Sequence, residues 1–139
     1  MTKLNPYLGF RGNAREALEF YQGVFGGELA IDTFGNNGMG DGPEADKVMH
    51  GQLETANGLL LMASDTPDSM ELADRSNISI SLSGDDDGEL TGYWDGLSDG
   101  ATVLEPLVVA PWGAKFGMLR DRFGVTWLVN IAAAAPSEG

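Results

Sequence analysis

The sequence predicts an α+β protein made of two tandem βαβββ modules. A weak internal repeat points to this, and so does the same order of strand-type and helix-type periodicity in both halves. Sliding the chain against itself by 72 residues brings Phe10, Gly12 and Tyr21 onto Leu82, Gly84 and Tyr93, and Pro6 and Leu8 onto Ile78 and Ile80. At an offset of 66, Gly51, Leu53, Gly58 and Leu61 fall on Gly117, Leu119, Gly124 and Trp127. The offset shrinks because the first half carries a longer, glycine-rich loop over 35–42.

Each half opens with a strand, over 4–10 and over 78–83; the second alternates with period two, the mark of a strand with unlike faces. A helix follows each. Asn13 is a good N-cap with Glu16 three residues on, as in a capping box, and Ala14, Ala17, Leu18, Tyr21 and Phe25 recur at helical spacing until Gly26-Gly27 stops them. Asp85, Asp86 and Asp87 precede a helix through Leu90, Tyr93, Trp94 and Leu97, where negative charge complements the helix dipole, and Gly100 ends it. Three strands close each half, over 28–34, 47–55 and 59–63, then over 102–109, 115–121 and 125–131. Asn57-Gly58 is a hairpin signal and Phe123-Gly124 its counterpart. The expected boundaries are 1–72 for the first module with its connector, 73–131 for the second and 132–139 for a flexible tail, all in one structural domain.

Composition narrows the partners. The chain has 139 residues, 42% of them hydrophobic, and no cysteine, so disulfides, thiolate nucleophiles and Cys-ligated metals are excluded. Eight Lys and Arg stand against 21 Asp and Glu, a net charge of −13. The few basic residues are scattered, whereas nucleic-acid binding needs them clustered against phosphates. No apolar run reaches the roughly 18 residues that cross a bilayer. The start, Met1 to Pro6, has no signal-type apolar core, and the expected address is the cytoplasm.

A duplicated βαβββ module of this length resembles the vicinal-oxygen-chelate superfamily, which holds glyoxalase I, extradiol dioxygenases, fosfomycin-resistance enzymes and bleomycin-binding proteins. The segments "NPYLGFRGNAREALEFYQGVFGGEL", "VMHGQLE", "LLLMASD" and "WGAKFGMLRDRFGVTWLVNI" are similar to its PhnB-like branch, over nearly the whole chain. The resemblance implies a glyoxalase-like fold, a cupped, eight-stranded, incompletely closed barrel with the ligand in the cup. In metal-dependent members the first and last strands of each module supply the ligands. Those positions fall here at Tyr7, Ser79, Met62 and Leu128; a register one residue away brings in Pro6, Ile78, Leu61 and Trp127. A divalent metal of this family wants imidazole nitrogen and carboxylate oxygen, which neither set offers. The expectation is a protein with no metal and no cofactor.

His50, the one histidine, lies in the PhnB-like run; it is a candidate acid–base or ligand contact, or a strand histidine satisfied by a local carboxylate. It shares a strand face with Gln52 and Glu54. A two-residue turn at Asn57-Gly58 would pair Leu53 with Met62 and turn that face outward; a bulge would reverse it, and the sequence leaves both open. Trp112, in the turn before the last hairpin, is costly to leave in water, so it covers a ligand, a second subunit or the protein's own core. Trp127 reads as core. Tyr7 and Asn130 are polar contacts on strands lining the cup, and Met49, Met62 and Met118 are either an adaptable pocket or core filler. The glycine-rich run lacks a phosphate loop's Gly-Lys-Ser/Thr ending and reads as a lid or a plain disordered loop. The three aspartates serve the helix dipole.

The expected ligand-binding set is therefore Tyr7, His50, Gln52, Met62, Ser79, Trp112, Leu128 and Asn130, with His50 alone a catalytic candidate. The expected function is metal-free binding of a small molecule, neutral or cationic because the acidic chain repels anions. The alternatives are an enzyme on this fold, of lyase, dioxygenase or thiol-transferase type, and a structural dimer module. A homodimer is expected, since the open cup leaves strand edges and apolar rims to be covered.

Overall fold

Pro6 has no N–H to give to a ladder, and the first strand, β1 (Tyr7–Phe10), begins just after it. The Pro6 carbonyl accepts the Met62 N–H at 3.2 Å, while Leu4, expected in the strand, is fully exposed. The computed structural model describes residues 2–39, 42–72 and 76–133, so part of the connector and the tail from 134 on lie outside the described residues. The chain divides into two units, Met1–Arg75 and Ser76–Gly139.

The first unit continues with α1 (Ala14–Phe25), β2 (Glu28–Thr33), β3 (Val48–Glu54) and β4 (Leu60–Asp65), in the sheet order β1-β4-β3-β2. The second holds β5 (Ile80–Gly84), α2 (Asp87–Leu97), β6 (Thr102–Val109), β7 (Lys115–Arg120) and β8 (Thr126–Ile131), in the order β5-β8-β7-β6. The first strand of each sheet runs parallel to the last, and the other neighbours are antiparallel. The predicted α+β class and the doubled βαβββ order are what is observed.

Each helix covers one face of its own sheet. Ala14, Ala17, Leu18 and Tyr21 are buried on α1, and each large one contributes about 1.5–3 kcal/mol by leaving water. Gly51 of β3 lets α1 come close, since a Cβ there would collide with Leu18 Cδ1. Gly117 of β7 is its counterpart, where a Cβ would lie 2.8 Å from Cη2 of Trp94 on α2. Trp127 is buried on the helix side of β8, and its indole N–H donates to Asp121 Oδ2 at 2.9 Å. Tyr21 is matched by Trp94, so Tyr93, the expected match, lies half-buried at the side, donating to Glu89.

Two local details differ from expectation, the first for a tertiary reason. The Asn13–Glu16 capping box does not form, because Asn13 makes no side-chain cap bond. The carboxylate of Asp65, at the end of β4, takes that place. Its Oδ1 accepts the N–H groups of Gly12 at 2.8 Å and Ala14 at 3.0 Å, and its Oδ2 accepts that of Val48 at 2.9 Å. Ser64 and Asp65, expected in the connector, thus end a strand whose last residue ties three segments together. The glycine-rich run is also more ordered than a plain loop: Gly35–Asn37 and Gly42–Asp46 form 3-10 turns, with Gly40 and Asp41 outside the described residues. At α2 the expectation holds, with Asp86 Oδ1 accepting the Glu89 N–H at 3.0 Å.

Candidate functional site

Hairpin chemistry decides which side chains face away from the helices. Both hairpins close with a three-residue loop whose last member is a glycine at positive φ, Gly58 at 91° and Gly124 at 88°. The Thr55 N–H donates to Leu59 O at 3.0 Å, and the Asp121 N–H to Val125 O at 2.8 Å. Thr55 Oγ1 and Asp121 Oδ1 then accept the N–H of Leu59 at 3.0 Å and of Val125 at 3.0 Å. The extra loop residue slips the pairing by one from a two-residue turn, so Gln52, not Leu53, stands opposite Met62. Leu53 goes to the helix side, where it is buried, and the stripe of His50, Gln52 and Glu54 takes the helix-free face.

On that face of the first sheet, Tyr7, Met62, Gln52 and Ala30 form one row across four strands. His50 and Asp32 are cross-strand partners in the row on one side of it, and Glu54 and Glu28 in the row on the other. Tyr7 reaches over β4 to His50, with Oη 3.2 Å from Nδ1 and ring centroids 5.7 Å apart. With the imidazole proton on Nε2 the phenol donates; with it on Nδ1 the phenol oxygen accepts and Nε2 is a free base. Tyr7 is 51% exposed, so the pair is open to a ligand.

The helix-free face of the second sheet differs from the first on β7, where Met118 and Phe116 stand in place of Gln52 and His50. Ser81, Leu128, Met118 and Glu105 form the row equivalent to Tyr7, Met62, Gln52 and Ala30. Phe116, opposite Asn130, stands where His50 stands in the first module. The Trp112 ring meets it at a tilt of 60°, centroid to centroid 6.2 Å. Trp112 is 69% exposed, which rules out its being a lid on the protein's own core. Asn130 is exposed and Leu128 half-buried on the same face.

Six of the eight expected site residues thus stand on these two faces, Tyr7, His50, Gln52 and Met62 on one and Leu128 and Asn130 on the other, with Trp112 packed on Phe116. Ser79 does not. β5 begins at Ile80 and Leu128 pairs with Ser81, so Ser81 is to Leu128 what Tyr7 is to Met62. The repeat offset is 74 on the first strands and 66 on the last, so a fixed shift of 72 misplaces the serine. Phe116 and Ser81 were missed. The offset of 66 carried from His50 finds Phe116, but nothing before the register finds Ser81.

The fold family implies a metal in some members, and the donors present do not fit one. A phenol, a thioether, a hydroxyl and an alkyl group, from Tyr7, Met62, Ser81 and Leu128, are not a ligand set for a divalent transition metal. Among the described residues no group of three or more His, Cys, Asp or Glu side chains is placed to hold one. Asp85 to Asp87 act on their helix instead. Asp87 accepts from Thr91 Oγ1 at 2.9 Å and from Lys115 Nζ at 2.6 Å, and this Lys115 contact first, then Thr91, holds its carboxyl below the usual aspartate range. A depression of about 390 Å³ beside the start of α1, lined by Arg15, Glu16, Glu19 and Lys47 among others, lies away from the helix-free face of the first sheet. Its Lys47 is tied to Glu44 at 2.9 Å, which raises the ammonium pKa, and its helix N–H groups are filled by Asp65.

Two βαβββ units, each a helix on a four-stranded sheet, are the fold of the vicinal-oxygen-chelate superfamily, and the comparisons with known proteins agree. A model of the family described as 3-demethylubiquinone-9 3-methyltransferase matches residues 2–130. The chain belongs to this family, in the PhnB-like branch of the superfamily. Its structure is similar to that of protein PA1353 from Pseudomonas aeruginosa, with a TM-score of 0.85 and 36% identity, covering 96% of this chain and 99% of that one. It is similar to a putative 3-demethylubiquinone-9 3-methyltransferase, PhnB protein, from Bacillus cereus, with a TM-score of 0.75 and 28% identity over 94% of this chain and 100% of that one. Protein YjdN of Escherichia coli K12 is 25% identical, over 97% of this chain and 99% of its own.

Proposed function

We propose that this protein binds a neutral or cationic, partly aromatic small molecule on the helix-free sheet faces, without a metal ion. The observation that carries the reading is a ready-made contact on each helix-free face, of a different kind on each, where Tyr7 and Met62 on one and Ser81 and Leu128 on the other are poor metal donors. Tyr7 and His50 offer a hydrogen-bonding pair, and Trp112 on Phe116 offers an aromatic platform. A cationic or flat ligand suits an aromatic face and a chain of net charge −13. Gln52 and Asn130 add donors and acceptors to orient it. The working unit in this reading is a cytoplasmic homodimer; no helix among the described residues is long and apolar enough to cross a membrane.

One observation favours an enzyme as second reading: the Tyr7–His50 hydrogen bond is an acid–base pair within reach of solvent. Methyl transfer, named in the family description, has less support. The glycine-rich run joins β2 to its antiparallel neighbour β3, not a parallel strand to a helix as a nucleotide loop does.

Tryptophan fluorescence against a panel of cationic, neutral and anionic aromatics tests the reading, with Trp112→Phe as control. Cationic or neutral ligands should bind, and Trp112→Ala should weaken them by about 1–3 kcal/mol. Binding of anions alone, or parent-like binding by the Trp112 variants, would overturn it.

A further inference from the structure

Strand β6 is the part of the structure that the binding reading leaves unexplained. It forms the edge of its sheet, paired only with β7. Its residues alternate along the chain, yet both faces are open: Val103 is 47% exposed, Val108 58% and Val109 64%, with Leu104 exposed beside them. The helix packs mainly on β5 and β8, with Trp94 over Gly117 of β7. Apolar residues gathered on one exposed edge strand are what soluble proteins cover with a partner.

The chemistry of the strip selects the partner. From 101 to 114 the only charged residue is Glu105, in a chain that carries −13 overall. An anionic membrane surface repels such a chain, and a basic protein is drawn to its acidic faces instead of to this neutral one. A neutral apolar strip matches a strip like itself, which a two-fold axis supplies. Eight residues of strand are about 27 Å long, and two such strips laid together, flanks included, bury about 1,000 Å² over both copies, the lower bound for a specific interface.

The irregularity of β6 limits the contact to a closed pair. Val103 pairs with Leu119, Glu105 with Met118 and Val108 with Phe116, so two extra residues bulge the strand on either side of Glu105. Pro106 removes one donor from the edge. A bulged, proline-bearing edge does not add strand after strand into an open sheet.

We infer that β6 is the surface through which two copies of this chain pair, by side-chain packing of Val103, Leu104, Val108 and Val109 about a two-fold axis. This rests on the homodimer in the proposed function and adds where it forms. It also predicts the sign of a salt effect. Two copies of charge −13 repel each other, so added salt should tighten an apolar contact between them.

The test uses the full chain in sedimentation equilibrium or light scattering at micromolar concentration. The parent should have twice the 14.7 kDa mass of one chain, with a dissociation constant that falls as salt is raised. The double variant Val103→Lys/Val109→Lys, at exposed positions, should keep the parent's circular dichroism and weaken pairing at least 100-fold. Met70→Lys, an exposed apolar position on the other unit, should pair like the parent. A parent that is monomeric overturns the dimer and this interface with it. A parent and a lysine variant that are both dimeric leave the dimer standing and overturn the interface alone. Pairing that weakens with salt would also overturn the apolar contact.

Discussion

The two modules have the same order of elements and opposite characters. In the first, α1 lies over β2, β3 and β4, and the edge strand β2 keeps Leu29 and Ile31 half-buried. In the second, α2 lies mainly over β5 and β8, with Trp94 over Gly117 of β7, and most of β6 is exposed. The helix residues explain much of this. Ala14, Ala17 and Leu18 let α1 settle onto Gly51, whereas the Trp94 indole fills the room over Gly117 and takes up α2's contact face. The helix-free faces diverge in the same way, with Tyr7 and His50 on one and Phe116 against Trp112 on the other. A duplicated fold fixes where side chains stand, and a few substitutions at equivalent positions decide whether a face offers a hydrogen-bonding pair or an aromatic one.

The two buried aspartates sharpen the contrast most. Asp65 and Asp121 are both nearly inaccessible, but Asp65 joins three separate segments while Asp121 closes its own hairpin and holds Trp127. Asp65→Ala strands three backbone N–H groups and should cost about 3–5 kcal/mol in urea denaturation. Asp121→Ala should cost about 2–3 kcal/mol, because it frees the buried Trp127 indole N–H while the Phe123 and Val125 N–H groups, part-buried at the hairpin, can turn to water. Equal losses would erase the distinction between a tertiary tie and a local one.

The close approaches of the helices come next. Gly117→Ala drives a methyl group against a rigid indole and, 3.0 Å away, the Leu107 Cα, and should cost about 1–3 kcal/mol. Gly51→Ala meets the end of a flexible leucine and should cost less. Thermal melts of the two variants give the order, and a reversed order would mean that α1 is the more tightly seated helix.

The smallest effect concerns Asp87. Its carboxyl pKa is lowered in the folded state, chiefly by Lys115, so the pair stabilises the fold above the ordinary aspartate pKa and that contribution is lost as pH falls through the lower folded value. Carboxyl NMR titration should show the Asp87 midpoint below that of a free aspartate, and Lys115→Met should move it back up. An unmoved midpoint would remove the one ion pair that ties β7 to the start of α2.

The module order, the helix faces and the hairpin glycines were legible in the sequence because they are local. Period-two and helical spacing, and a glycine where φ must be positive, follow from the residues themselves. So did the poverty of metal donors at the ends of the strands. The misplaced Ser79, the unused Asn13 cap and the undecided face of His50 share one cause. Each depends on register, and register is set where separate strands meet. One extra residue in a loop sends every side chain of a strand to the other face, and a carboxylate 52 positions from Asn13 displaces a cap that the local sequence recommends. The sequence by itself determined which pieces this protein is made of and most of the side chains that stand at equivalent places in its two halves. The tertiary structure decided that Tyr7 meets His50, that Phe116 meets Trp112 and that most of β6 is exposed, because side chains far apart in the chain become neighbours only through the pairing of strands.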